Sequence, residues 1–240
     1  MKLILDILRR EPGEKPRLCS IEYETEDGNA TVASALFDIN AAETSDLNGE
    51  PVGEIGWECS CLQKKCGACA MVINGRPRLA CDTKLSEFVK KGRVRIEPLR
   101  KFPVVRDLIV DRSVMMTALI EMQSFLENDV RPEEPAGKIA YEASRCLQCG
   151  CCLEVCPNFY AGGSFKGMAA AMPSAKLIVQ MDDLKRGEFY KTYRKAVYEG
   201  CGKSLSCRDI CPAGIDIEGL LVNSNAAAVF KRRPFRKGKK

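Results

Sequence analysis

The chain has 240 residues, ordinary apolar content, a formal charge of +5, fourteen cysteines and no histidine. That length allows one large or two ordinary domains. Without histidine the chain carries no imidazole general base, no His-ligated haem, no Rieske centre and no Cys2His2 zinc site. Fourteen cysteines without a recognisable leader place it in a reducing compartment, where clustered thiols point to metal or redox chemistry rather than disulfides.

The opening MKLILDILRR has Asp6 inside its apolar run and no small-residue cleavage site, so it reads as a strand and not a signal peptide. Residues 2–9 and 17–24 alternate as two strands, with turn residues at 11–14 between them. Residues 31–42 read as a helix capped by Thr31, with Val32, Leu36 and Ile39 on one face. A hairpin followed by a helix predicts the opening of a β-grasp domain.

Next come Cys61, Cys66 and Cys69 in the spacing C-x4-C-x2-C, closed by Cys81. This is the plant-type spacing for a 2Fe-2S cluster. Residues 70–73 and 78–80 read as strands joined by the tight turn Asn74-Gly75, which returns Cys81 to the loop. Residues 93–97 read as a last strand. The period changes near 98–103, and the domain boundary is expected near residue 105.

The second half predicts an all-α domain. Met115, Leu119, Met122 and Leu126 form a helical stripe, read as core packing. Residues 131–137 form a Pro-rich linker, and residues 138–145 lead helically into Cys146, Cys149, Cys152 and Cys156. Their spacing, C-x2-C-x2-C-x3-C-P, is the bacterial-ferredoxin run, whose fourth cysteine serves a second cluster. Cys201, Cys207 and Cys211, followed by Pro212, repeat that template with Ser204 where a cysteine would stand. Exchange of the last cysteines assigns Cys146, Cys149, Cys152 and Cys211 to a 4Fe-4S cluster. Cys156, Cys201 and Cys207 then supply three thiolates, which suit a 3Fe-4S cluster; a serine hydroxyl is a poor ligand for soft metals. Pro173 is expected to split 165–186 into two helices, with two more at 188–199 and 215–230. A structural zinc site is the competing explanation, although this run does not divide into the paired CxxC knuckles of a zinc ribbon.

Of the other cysteines, Cys19 reads as a buried small hydrophobe and Cys151 as a non-ligand; Cys59 is either a spare thiol or a competitor for the 2Fe-2S iron. The chain shows no P-loop, no dinucleotide fingerprint and no apolar run near the ~18 residues of a membrane span. Residues 231–240, KRRPFRKGKK, hold seven basic groups and no acid, leaving the remainder near neutral. Such a tail is a solvated end or is drawn to an anionic membrane surface; no aromatic platform supports nucleic acid.

The run Cys61 to Met71, the run Asn74 to Cys81, the segment Lys101 to Arg112 and both later cysteine motifs together resemble the iron–sulfur subunit of succinate dehydrogenase and fumarate reductase. The resemblance spans nearly the whole chain. It implies an α+β chain with a β-grasp plant-type ferredoxin domain over 1–105 and a bacterial-ferredoxin-like helical domain over 106–240. It further implies electron transfer between an FAD-containing subunit that interconverts succinate and fumarate and a membrane quinone. By that resemblance the 2Fe-2S cluster faces the flavin, the 4Fe-4S cluster lies in the middle, and the 3Fe-4S cluster faces the quinone. The chain would sit peripherally on the cytoplasmic side of the membrane, on a cytochrome b anchor. Asn158-Phe159-Tyr160-Ala161 and Gly202 replace the Trp and His of ubiquinone-linked members, which implies menaquinone. Glu58-Cys59-Ser60 and Lys64-Lys65 also depart from the usual loop around the first two ligands. A stand-alone or differently partnered ferredoxin is the alternative.

Overall fold

The computed structural model describes residues 1–11, 13–126, 136–181 and 183–230. Pro12 of the first turn, residues 131–135 of the expected linker and the basic run 231–240 lie outside these. The chain forms two compact units, Met1–Asp111 and Arg112–Lys240.

In the first unit β1 (Lys2–Arg9) pairs antiparallel with β2 (Arg17–Glu24). Alternation places Leu3, Leu5, Ile7, Cys19 and Ile21 in the core. The helix α1 (Val32–Ala41) starts at a reciprocal cap: Ser34 N–H donates to Thr31 Oγ1 at 3.1 Å, and Thr31 N–H donates to Ser34 Oγ at 2.8 Å. It buries Val32, Leu36 and Ile39. The hairpin β3 (Ala70–Ile73) and β4 (Arg76–Leu79) turns at Asn74 and Gly75, both at positive φ, 47° and 77°. That conformation favours glycine at the second position. The last strand of the sheet, β5 (Arg93–Glu97), runs parallel to β1 and antiparallel to β3, giving the order β2-β1-β5-β3-β4. This is a β-grasp sheet over one helix.

A short hairpin follows, β6 (Val104–Arg106) and β7 (Ile109–Val110). It straddles residue 105, the expected boundary, and belongs wholly to the first unit, which runs to Asp111. The reason is a buried ion pair: Arg9 is 5% exposed and Asp107 not at all. Arg9 Nε and Nη2 donate to the Asp107 carboxylate at 3.0 and 2.9 Å. Gly56 N–H and Arg10 N–H donate to the same carboxylate at 2.8 and 3.2 Å. Arg9 also donates to the carbonyls of Val52 and Glu54. The carboxylate thereby accepts four hydrogen bonds and the guanidinium makes four, the satisfaction that a buried charge requires.

The second unit is helical: α2 (Ser113–Glu121), α3 (Ala136–Ser144), α4 (Cys151–Glu154), α5 (Gly167–Gln180), α6 (Asp183–Tyr193) and α7 (Ile217–Ala228). Met115 and Met122 of the expected stripe are buried, Leu119 is half-buried, and Leu126 lies beyond the end of α2. The hub is α5, which packs against α2, α3, α4 and α7 and buries ten of its fourteen residues. Pro173 does not split this segment as expected: α5 runs straight through it. A proline inside a helix frees the carbonyl four residues earlier; here that carbonyl, on Ala169, accepts Nε2–H of Gln148 at 2.9 Å instead. The region 188–199 is the end of α6 followed by a π-helical turn at Arg194–Tyr198.

Candidate metal centres

The loop between α1 and β3 curls around its own sulfurs. Leu62, Lys64 and Gly67 take positive φ values of 53°, 59° and 75°. These reversals turn backbone N–H groups inward. Gln63 and Lys65 N–H each donate to Cys61 Sγ at 3.3 Å, and Ala68 N–H donates to Cys66 Sγ at 3.5 Å. The amides from Gln63 first, then Lys65, lower the Cys61 thiol to about 7, which favours the thiolate that binds metal. Cys69 is 3% exposed, and burial pushes its thiol up to about 12. Cys81 stands in the 3-10 turn Ala80–Asp82 that ends β4. It is brought to Cys69 by Ala80 N–H, which donates to the Cys69 carbonyl at 3.0 Å. The ion pair Lys64–Asp82, at 2.7 Å, clamps the loop beside it. All four expected 2Fe-2S ligands therefore lie in one place. Cys59 is exposed and Cys19 is buried in β2.

In the second unit, Cys146, Cys149 and Cys152 share an apolar-walled cavity with Cys211, together with Gln148, Ala169, Met172, Ile215 and Ile217. Cys211 of the other half-motif is thus brought beside these three. Gln148 and Gly150, at φ 50° and 87°, shape the ligand loop before α4. Burial holds the thiols of Cys146 and Cys152 high, while the thiol of Cys149 is lowered to about 7, first by a hydrogen bond from Cys151. Cys151 itself is fully buried, and this hydrogen bond and its burial raise its thiol.

Cys156 follows α4, and Cys201 follows the π-helical turn. Asn158 Nδ2–H donates to the Gly200 carbonyl at 2.8 Å and ties the two loops. Gly200 is obligatory: a Cβ there would lie 2.5 Å from Phe165 Cβ. Burial pushes the Cys207 thiol up to about 11, and the neighbouring Cys156 and Cys201 sulfurs push the same way. Ser204 is exposed, and its Oγ accepts a hydrogen bond from Ser206 at 3.2 Å.

All three thiol sets offer the sulfur-only donors that iron–sulfur clusters take. Sulfur donors alone suit iron–sulfur or zinc. The 146/149/152/211 set lines a cavity. Sequence reasoning located these cysteines but missed the side chains that steer them: Lys64, Asp82, Gln148 and Asn158. The positive φ values in the loops carry no clear sequence signal except at glycine.

Comparison with known proteins agrees with this geometry. Residues 4–117 match the 2Fe-2S iron–sulfur cluster binding domain family, and residues 142–215 match the 4Fe-4S dicluster domain family. The succinate dehydrogenase iron–sulfur subunit of Bacillus subtilis is 36% identical over 203 residues, covering 79% of this chain and 78% of its own. This chain belongs to the iron–sulfur subunits of succinate dehydrogenase and fumarate reductase. The fumarate reductase iron–sulfur subunit of Mycobacterium tuberculosis is 33% identical, covering 70% of this chain and 72% of its own. A solved structure of the Sdh1 complex of Mycobacterium smegmatis in the apo form has the same fold, with a TM-score of 0.76, 24% identity and 96% of each chain covered. As a member of this family the chain is an electron-transfer subunit with a 2Fe-2S domain and a dicluster domain. Among its described residues no helix is long and apolar enough to cross a membrane.

Proposed function

We propose that Cys61, Cys66, Cys69 and Cys81 hold the 2Fe-2S cluster, that Cys146, Cys149, Cys152 and Cys211 hold a 4Fe-4S cluster, and that Cys156, Cys201 and Cys207 hold a 3Fe-4S cluster. The observation that carries this reading is the cavity in which Cys211 joins the other three. Ser204, exposed and bonded to Ser206, suits a third centre with only three protein ligands. When bound, the clusters supply one-electron relays of differing potential. The chain's own residues hold the ligand sulfurs in place and donate backbone N–H groups to Cys61, Cys66 and Cys146.

On this reading the chain passes electrons between an FAD-containing subunit that interconverts succinate and fumarate and a membrane quinone, menaquinone by the residues at 158–161 and 202. It would be held on a cytochrome b anchor at the cytoplasmic face of the membrane. An apolar groove of about 350 Å³, lined by Tyr198, Lys203, Leu205, Val222 and Phe230, supports an apolar partner on this unit; Tyr198 and Lys203 flank Cys201 in the chain.

The test is EPR on anaerobically isolated protein, oxidised and then reduced, with iron and zinc analysis. The reading expects an oxidised-state signal from the odd-electron cluster and a 2Fe-2S signal on reduction. Ser204→Cys should abolish the oxidised-state signal by completing a fourth ligand. Two reducible four-iron clusters in the unaltered chain would reject the assignment of the third centre. Zinc without iron would reject all three. Isolation without any flavoprotein would favour a carrier with different partners, and failure of the complex to reduce menaquinone analogues would reject the quinone.

A further inference from the structure

We propose that the Gln148 carboxamide raises the electron affinity of the cluster held by Cys146, Cys149, Cys152 and Cys211, and that Pro173 keeps it aimed. The proposal rests on the ligand assignment above.

Gln148 lies between two of those cysteines, at a φ of 50°. Its Nε2 donates to the Ala169 carbonyl at 2.9 Å and stands 3.4 Å from Cys146 Sγ. The amide orientation is fixed by chemistry: a backbone carbonyl only accepts, so the nitrogen and not the oxygen must face Ala169. With one N–H held there, the second reaches the cysteine sulfur. The Gln148 backbone N–H is directed at the same sulfur. The amide oxygen is buried and makes no hydrogen bond. The side chain is thus placed for its donors at the expense of its acceptor.

The site for this amide exists because of Pro173. In an unbroken helix the Ala169 carbonyl would take the N–H of residue 173. Proline has none, so the carbonyl faces the ligand loop with a lone pair to offer. Two residues that sequence rules treat separately, a helix-internal proline and a glutamine inside a cysteine run, therefore form one device. Donors to cluster sulfurs stabilise the added negative charge of the reduced state and raise the potential.

The experiment is an EPR-monitored redox titration of the full-length chain, loaded anaerobically, in which each centre takes one electron from the reductant through mediators. Gln148→Leu should lower the midpoint potential of this cluster alone. Gln148→Glu should lower it further, because a carboxylate brings negative charge and no donor. Pro173→Ala restores a backbone N–H that competes for Ala169, and should lower the potential with Gln148 in place. The midpoints of the other two clusters should not move. Unchanged midpoints in loaded Gln148→Leu and Gln148→Glu would overturn the proposal. If those variants fail to load, an unchanged midpoint in Pro173→Ala overturns it. Cys211→Ser separates the two ideas: if it leaves the same signal intact, the ligand assignment has failed and not the tuning.

Discussion

Asp107→Asn is the most informative single substitution in the first unit. Asp107 is completely buried and accepts four hydrogen bonds, two from Arg9 and two from backbone amides of Arg10 and Gly56. Asparagine removes the charge and turns an N–H₂ group toward donors. Arg9 is left buried without its counter-ion, and breaking a buried pair in this way costs about 3–5 kcal/mol. For a unit of this size that corresponds to a fall in Tm of roughly 12–20 °C. Differential scanning calorimetry measures it, with exposed Glu26→Gln as control. Burial alone would raise the Asp107 carboxyl, but Arg9 and the two amides bring it below the ordinary carboxylate range. The stabilisation is therefore present above the unfolded value of about 3.9 and lost as pH falls through the depressed folded value. The gap between wild type and Asp107→Asn should be constant at neutral pH and close only below about pH 4. The paired replacement Arg9→Met with Asp107→Leu should not recover the loss, because it strips partners from the Arg10 and Gly56 N–H groups and from the Val52 and Glu54 carbonyls. A loss below about 1 kcal/mol for Asp107→Asn, the range of exposed ion pairs, would refute the reasoning.

Gly200→Ala should destabilise the helical unit by about 1–3 kcal/mol, as overpacking does, because its Cβ would meet Phe165 at 2.5 Å. The oxidised-state EPR signal should weaken while the 2Fe-2S signal stays. Cys61→Ser should remove the 2Fe-2S signal, whereas Cys59→Ser, at an exposed thiol, should leave iron and sulfide content unchanged. Leu5→Ala, at a fully buried position of β1, should cost roughly 2–5 kcal/mol in chemical denaturation; a smaller value would mean that the core there collapses around the gap.

That Cys211 joins Cys146, Cys149 and Cys152, and that Cys81 returns to Cys69, was legible because the spacing of the cysteine runs is regular. The strands, α1 with its Thr31 cap and the Asn74-Gly75 turn were legible because period and turn chemistry are local. The Arg9–Asp107 pair was not, since its members are separated by 98 positions and nothing local marks either as buried. The hairpin β6–β7 escaped because strands of three and two residues carry no alternation to count. Pro173 misled for a physical reason: the rule that proline ends a helix assumes the freed carbonyl has no better partner, and here Gln148 provides one.

The cavity lined by Cys211 alongside Cys146, Cys149 and Cys152 has a consequence for biogenesis. On the proposed ligand assignment neither half-motif completes a cluster alone, so iron loading of the helical unit closes a chain loop of roughly 60 residues, an entropic cost that grows only slowly with length. The metal is then a fastener for the fold as well as its cargo. A ribosome-bound chain that has emerged only as far as α5 holds half of two centres and completes neither. On that assignment, assembly machinery would find a competent target only after the second motif has left the exit tunnel.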